Sequence, residues 1–526
     1  MATASVDIQT ATETVEQTRK PAKGLTQKAY LNAFSVLLDN GVKVLVLSLV
    51  TPILVSGLGR SLFGVWQMLS RLVAYMSATD GRPTQALKWV IAHDQAIEDD
   101  DAKRRHVGSA LGVWLIFLPV ITIVGLILVW IAPIVTKVPE GMYWIIRLTF
   151  GLLVIEFMVT NLAALPESVL RGMNLGYKRM GLQASLSVVG GVLMVVAVYA
   201  GTGLVGLAGA QVILGALTGV LYWAVVKKYV PWFGIAKPRM AEVRSFLKLS
   251  VWWFAWTSVS RLMMASDIIV LGVVASASAV TTYTLTSYAA LMLLQLTSML
   301  LGAATPGLGG LVGQKQFEKA VGLRAEMMRM TWLMLTATGA AILLMNRSFI
   351  GLWVGPEHYA GFWANLLIVL VMVQFTFIRN DSFIIDLTLQ LREKVIMGAV
   401  AAVLSIGLSA ILIPSWGITG LCLGMMAGRL LLSVSYPLIV NRQLEQPRGL
   451  PLKSFVRPGL VMTLIFAASG YLGQLLVINN WVVWFVCGGA SFGLALGLAL
   501  FTGLNADARR PLIKRLMMIR TLRAAR

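Results

Sequence analysis

Residues 257–274 read TSVSRLMMASDIIVLGVV, an apolar run that nevertheless carries Arg261 and Asp267. A charged side chain at the centre of a membrane-spanning helix costs at least about 2.5–3.5 kcal/mol, so it has to face protein or water. The whole chain is similarly apolar, with a mean hydropathy of +0.79 and only 13% charged residues, where soluble domains carry about 25%. The sequence therefore predicts an all-α polytopic membrane protein.

Apolar runs of about 20 residues, which is the length of a helix that crosses the ~30 Å hydrocarbon core, recur along the chain. The strands of a membrane β-barrel would instead be ~10-residue segments of alternating hydropathy, and the sequence lacks them. We predict about fourteen transmembrane helices, at 32–57, 63–79, 108–131, 142–165, 180–200, 203–226, 249–274, 280–304, 327–345, 361–389, 395–413, 417–440, 459–478 and 480–503.

The basic residues indicate the orientation of these helices. With a cytoplasmic N-terminus, 35 Lys and Arg residues fall in cytoplasmic segments, and only Arg60, Lys137 and Arg347 fall outside. This excess of basic residues on one side is typical of an inner-membrane protein, and here it places both termini in the cytoplasm. We therefore interpret the net charge of +21 as membrane topology rather than as a sign of nucleic-acid binding.

Similar segments recur at an offset of 214 to 232 residues. GRPTQALKWV at 81 resembles GQKQFEKAVG at 313, GLVGLAG at 203 resembles GITGLCLG at 417, and LGYKRMG at 175 resembles LREKVIMG at 391. Six helices per half make the two repeats parallel, a pattern found in transporters. We predict a disordered cytoplasmic tail (1–28), an N-lobe (29–236), a C-lobe (237–445), two extra helices (446–505) and a basic tail (506–526), with a cavity between the lobes.

Four basic residues within the predicted spans are candidates for binding a ligand in this cavity. Lys43 and Arg261 lie near the middle of the first helix of each half, Arg71 lies in the middle of the second helix, and Arg379 lies in the tenth. A cation near the membrane midplane suits an anionic ligand. Arg147, near an outer helix end, and Arg429, next to Gly428, are weaker candidates.

Acidic and polar residues of the spans complete the predicted site. Asp39, Asp267 and Asp386 are candidates for binding a coupling proton or sodium ion, and Asn40, Thr257 and Gln295 for binding sugar. Two alternatives remain open: Asp39 and Lys43, four residues apart, neutralise each other, and Arg379 and Asp386, seven apart, pair through a water or a neighbour. Arg261 and Asp267 are six residues apart and lie on different helix faces.

Nothing in the sequence indicates catalysis or a bound metal. Cys422 and Cys487 lie in apolar runs and are expected to be small buried residues. No metal-ligand cluster, phosphate-binding loop or nucleophile triad is visible. We expect no enzyme activity and no cofactor beyond an ion gradient.

Three segments carry a resemblance to a known family. They are PILVSGLGRSLFGVWQMLSRLVAYMSATDG (52–81), PESVLRGMNLGYKRMG (166–181) and GLWVGPEHYAG (351–361). In order and spacing they resemble Wzx-type lipid-linked oligosaccharide flippases of the multidrug/oligosaccharidyl-lipid/polysaccharide (MOP) exporter superfamily, over roughly residues 30–440. The resemblance implies a short glycan on a polyprenyl pyrophosphate as substrate, alternating access coupled to an ion gradient, and polysaccharide polymerase and chain-length proteins as partners.

Three other functions compete with this interpretation. A multidrug cation antiporter of the same superfamily would need a carboxylate-rich cavity, whereas basic residues are at least as numerous here. A glycan polymerase would carry a large outer loop and an acyltransferase an intramembrane histidine, and the sequence has neither. A non-transporting scaffold is disfavoured by the repeat and by the charges within the spans.

Overall fold

The computed structural model describes residues 23–506, except 78, 82, 94–98, 180, 389 and 446–452, together with residue 509. Within these residues the chain is helical and has no strands, which confirms the predicted all-α membrane fold. The helices are α1 (Lys23–Met76), α2 (Pro83–His93), α3 (Asp100–Thr136), α4 (Tyr143–Gly172), α5 (Leu182–Tyr199), α6 (Gly203–Tyr229), α7 (Met240–Val274), α8 (Ala277–Gly313), α9 (Phe317–Trp353), α10 (Phe362–Thr388), α11 (Arg392–Gln443), α12 (Lys453–Leu475) and α13 (Trp481–Leu498).

Ten helices of the described part are long and apolar enough to cross a membrane. Two of these are interrupted, α1 at Gly59 (φ +76°) and α11 at Gly417 (φ +55°). Only glycine adopts such left-handed angles at little cost, so each interruption divides its helix where the sequence separates two predicted spans. The protein is therefore a multi-pass membrane protein, while the count of fourteen spans and the parallel repeat remain predictions.

Contacts divide the chain into two compact units. The first unit comprises the chain up to Leu58, Met76–Pro133 and Pro139–Phe254, and the second comprises Gly59–Tyr75, Ile134–Val138 and the chain from Ala255 onward. Helix α1 begins at Lys23, within the stretch predicted as a tail, and residues 1–22 lie outside the described part. The lobe boundaries proposed from the sequence remain a prediction.

In the first unit, helix α2 packs into the protein. Leu87 and Ile91, four residues apart on one helix face, are completely buried against residues such as Val169 and Val226 of α4 and α6. Trp89, on the other side of the same helix, is 38% exposed. The apolar face of α2 is therefore satisfied by protein packing rather than by lipid.

The segment after α6 is hydrogen-bonded to the start of α3. The Arg104 guanidinium donates to the Trp232 carbonyl at 2.8 Å, and Arg105 donates to Glu242 at 3.3 Å. Partial burial alone would raise the pKa of Glu242, but hydrogen bonds from the Arg239 N–H and from Arg105 outweigh it and lower that pKa. These contacts hold the N-terminus of α7 against α3.

In the second unit, the two parts of α11 pack closely through a row of glycines. A Cβ added to Gly420, Gly424 or Gly428 would lie 2.3 Å from backbone atoms of Leu412, Ser409 or Ser405 respectively. These glycines recur every four residues and so form one helix face. Because the glycine face contacts the first part of α11, the other faces of the second part, including the one with Arg429, contact other helices.

We expect the Gly424→Ala variant to be destabilised by about 1–3 kcal/mol, the usual cost of overpacking a close contact. Gly407→Ala, in the same helix, is the matched control because an added Cβ there meets no atom within 4 Å; removing a helical glycine should even stabilise it slightly. Thermal unfolding of the purified proteins in detergent measures both changes. Equal melting temperatures for the two variants would contradict the close packing.

Two ion pairs link α9, α10 and α11 in the second unit. Arg324 donates to Asp381 at 2.7 and 3.0 Å and to Asn441 at 2.7 Å, and both charged side chains are buried. Lys394, which the sequence placed in a cytoplasmic loop, is completely buried and donates to Asp386 at 2.5 Å. Buried charges such as these are tolerated because each is paired with a charge of the opposite sign.

Candidate functional site

A cavity of about 150 Å³ lies within the second unit. It is lined by the second part of α1 and by α7, α8, α10 and α11. Its polar side chains are Arg71, Arg261, Asp267, Tyr283, Thr284, Ser287 and Arg429, and apolar residues such as Leu294, Met372 and Phe375 complete the wall. Three arginines and one aspartate give the lining an excess of positive formal charge.

Asp267 is held by hydrogen-bond donors. One carboxylate oxygen accepts from the Tyr283 hydroxyl at 2.9 Å, and the other accepts from the Ile268 N–H at 2.8 Å. A carboxylate has about four lone-pair sites, so these two hydrogen bonds leave acceptor capacity, and the coupling-ion role predicted for Asp267 stays a prediction. Asp267 is also arranged as the counter-charge of the neighbouring arginines.

Arg429 is the most deeply buried of the three arginines, at 5% exposed. Its guanidinium lies 5.2 Å from the centroid of the Phe375 ring, which is within the range of a cation–π contact. Arg429 and Asp267 also line a second, smaller cavity of about 10 Å³ between α7 and α11, which is room for about one water molecule. The sequence made Arg429 a weaker candidate for ligand binding. The neighbouring row of glycines that ends at Gly428 indicates close helix packing around it.

The structure brings together some of the residues predicted from the sequence. Arg71, Arg261 and Asp267 line the same cavity. Arg379 is exposed and is not among the described lining residues. Asp386 accepts a hydrogen bond from Lys394 of α11 at 2.5 Å, and its pairing with Arg379 through a water or a neighbour stays a prediction.

Other predicted residues belong to the first unit or lie outside the described side chains. In α1, Asp39 is buried, Asn40 is half-buried and Lys43 is exposed. The side chains of Thr257 and Gln295 lie outside the described part. The role proposed for each of these residues stays a prediction.

Two charges of α4 have local partners. Arg147 stacks on Trp130 with its guanidinium carbon 3.9 Å from the ring centroid, an arrangement that stabilises a cation at a membrane interface. Glu156 accepts a hydrogen bond from Thr160 at 2.8 Å. Among the described residues no group of three or more His, Cys, Asp or Glu side chains is suited to hold a metal ion.

No protein-family description and no curated protein matches this sequence. Solved structures do resemble it. Lipid II flippase MurJ, in an inward closed conformation, superposes with a TM-score of 0.63 at 14% identity, covering 89% of this chain and 98% of MurJ. An outward-facing multidrug resistance MATE family transporter of the MOP superfamily gives 0.57 at 16% identity, covering 80% and 95%.

A third similar structure is a MOP superfamily transporter from Pyrococcus furiosus, whose binding pocket is described as having reversed polarity. Its TM-score is 0.54 at 15% identity, and the match covers 80% of this chain and 95% of that one. Identities this low show a shared fold and no more. The chain has the fold of MOP superfamily transporters, which lipid II flippase MurJ and the MATE transporters share.

Proposed function

We propose that this protein flips a polyprenyl-pyrophosphate-linked oligosaccharide from the inner to the outer leaflet of the cytoplasmic membrane, for the synthesis of cell-surface or extracellular polysaccharide. The observation that carries the proposal is the cavity with Arg71, Arg261 and Arg429 against a single carboxylate. Guanidinium groups bind phosphate oxygens in pairs of charge-assisted hydrogen bonds. An anionic head group is therefore the ligand that this lining suits best.

The size of the cavity limits which part of the substrate it would hold. Its volume of about 150 Å³ is several times the roughly 10–15 Å³ that a cavity needs to hold one water molecule. That space suits a pyrophosphate or a single sugar and is too small for a whole oligosaccharide. We therefore assign the cavity to the pyrophosphate, while the polyprenyl tail remains in the lipid.

Transport would proceed by alternating access coupled to a proton or sodium gradient. Among the three carboxylates proposed for the coupling ion, Asp267 faces donors and Asp386 is neutralised by Lys394. Asp39, buried in the first unit, is the candidate to test first. Lys43 and Asn40 lie within one helical turn of it and would share its surroundings.

The test of this function is the fate of lipid-linked oligosaccharide in cells that lack the protein. We expect it to accumulate in the cytoplasmic leaflet while its synthesis continues, and surface polysaccharide to be lost. Leaflet occupancy is measured by the accessibility of the glycan to an external enzyme or lectin. Restoration by the wild-type gene is the control, and normal surface polysaccharide in the deletion strain would contradict the proposal.

A multidrug cation antiporter is the second candidate, supported by the likeness to MATE transporters. Organic cations would be repelled by an arginine-rich lining, so the cavity disfavours them. The same deletion strain distinguishes the two functions. Unchanged polysaccharide together with increased sensitivity to cationic drugs would favour the antiporter.

A further inference from the structure

Three lysines of the first unit meet exposed aromatic rings where α6 ends. The Lys178 ammonium lies 4.7 Å from the centroid of the Tyr229 ring, and Lys228 lies 5.7 Å from the same ring. Lys227 lies 5.8 Å from the ring of Trp223. All five residues are exposed. We call this set the basic–aromatic cluster; its rings hold the ammonium groups in place without neutralising their charge.

The surroundings of the basic–aromatic cluster supply little negative charge. The sequence contains no Asp or Glu from residue 168 to residue 241, while it contains seven basic residues there: Arg171, Lys178, Arg179, Lys227, Lys228, Lys237 and Arg239. None of the three lysines of the cluster forms an ion pair in the described part of the chain. The cluster therefore attracts an anion from outside the protein.

An apolar stripe leads along α6 directly to the cluster. Ile213, Val220 and Trp223 are 57%, 66% and 44% exposed, and Lys227 follows Trp223 by four residues. This spacing places them on one face of the helix. On a membrane-spanning helix such an exposed apolar face is covered by acyl chains, and tryptophan marks the level of the head groups. A ligand with its head at Lys227 therefore has its tail along this stripe.

We propose that the basic–aromatic cluster is a binding site for the head group of an anionic phospholipid. The positive-inside orientation predicted from the sequence puts the cluster in the cytoplasmic leaflet, where anionic lipids attract basic side chains by about 1 kcal/mol each. The three lysines are exposed, so they select a charge rather than a particular glycan. This favours an abundant phospholipid over the lipid-linked sugar proposed above as the substrate, and the inference does not depend on that proposed function.

The experiment compares thermal unfolding of the purified full-length protein with added short-chain phosphatidylglycerol or phosphatidylcholine. We expect phosphatidylglycerol alone to raise the melting temperature. The variant K178Q/K227Q/K228Q should bind phosphatidylglycerol roughly a hundredfold more weakly, as three lysines at about 1 kcal/mol each imply. The variant K178R/K227R/K228R keeps the charges and should keep the shift.

The matched control is K315Q/K319Q/R392Q, which removes three exposed basic residues of the second unit and should leave the shift intact. An equal loss of the shift in this control would mean that only overall charge matters, and would overturn the proposal. If K178Q/K227Q/K228Q keeps the shift produced by phosphatidylglycerol, the proposal is also overturned. The same holds if this variant loses only the stabilisation produced by undecaprenyl phosphate, which stands in for a polyprenyl-linked substrate. If the triple variant does not fold, K178Q and K228Q singly should each weaken binding roughly fivefold.

Discussion

Replacing Arg429 with glutamine is expected to reduce the flipping of lipid-linked oligosaccharide by roughly ten- to a hundredfold. Hydrogen bonds to charged groups contribute about 1.5–3 kcal/mol each, and every 1.4 kcal/mol is about a factor of ten in affinity. Arg429 is buried at the wall of the cavity, so water replaces its contact with a phosphate poorly. Export is measured by the appearance of external glycan in the deletion strain that carries the variant gene.

Arg379→Gln is the matched control for Arg429→Gln. It removes the same charge from a span residue that is exposed and absent from the described cavity lining, and we expect export to change less than twofold. Arg429→Lys, which keeps the charge but lacks the paired donors, should fall between Arg429→Gln and the wild type. Export by Arg429→Gln at the wild-type level, with normal amounts of folded protein in the membrane, would contradict the role of Arg429.

The Asp381→Asn variant is expected to lose about 3–5 kcal/mol of stability. Arg324 is 2% exposed and both of its hydrogen bonds to Asp381 end on the same carboxylate oxygen. Removal of one partner of a buried ion pair leaves an uncompensated charge, which is the source of this large cost. The readout is the unfolding transition of the purified protein in detergent.

Glu393→Gln is the control for Asp381→Asn. Glu393 pairs with Arg442, but both side chains are largely exposed, and exposed pairs contribute about 0–1 kcal/mol. A second variant, Arg324→Leu/Asp381→Leu, removes both buried charges and should recover much of the stability lost by Asp381→Asn. If Asp381→Asn and Glu393→Gln lower the melting temperature equally, the buried pair does not stabilise the second unit as proposed.

The fold was predictable from the sequence because membrane spans follow from composition along the chain. Long apolar runs predicted the helices. Helix α1 is interrupted at Gly59, between two predicted spans, and helix α11 at Gly417, the first residue of the predicted span 417–440. Span ends were less accurate. Helix α7 begins at Met240 and α9 at Phe317, both about ten residues before the apolar runs, because helices continue into polar surroundings when packing supports them.

The candidate site was only partly predictable. Arg71, Arg261 and Asp267 were proposed from the sequence because charges within apolar runs are costly, and the three share a cavity. Arg379 and Arg429 are both arginines within spans, yet only Arg429 lines the cavity. The sequence could not rank these two arginines correctly, because the neighbours that decide their positions, such as Phe375 beside Arg429, come from another helix.

The sequence by itself determined that this protein crosses the membrane many times and that some charges within its spans need protein or water around them. Tertiary structure decided which charges share the cavity and which are buried as ion pairs. The physical reason is that membrane helices are apolar on nearly every face: in α11, Ala401 is buried while Val403 and Ile411 are about 70% exposed. Hydropathy therefore does not distinguish a face toward lipid from a face toward protein, and only the packing of neighbouring helices does.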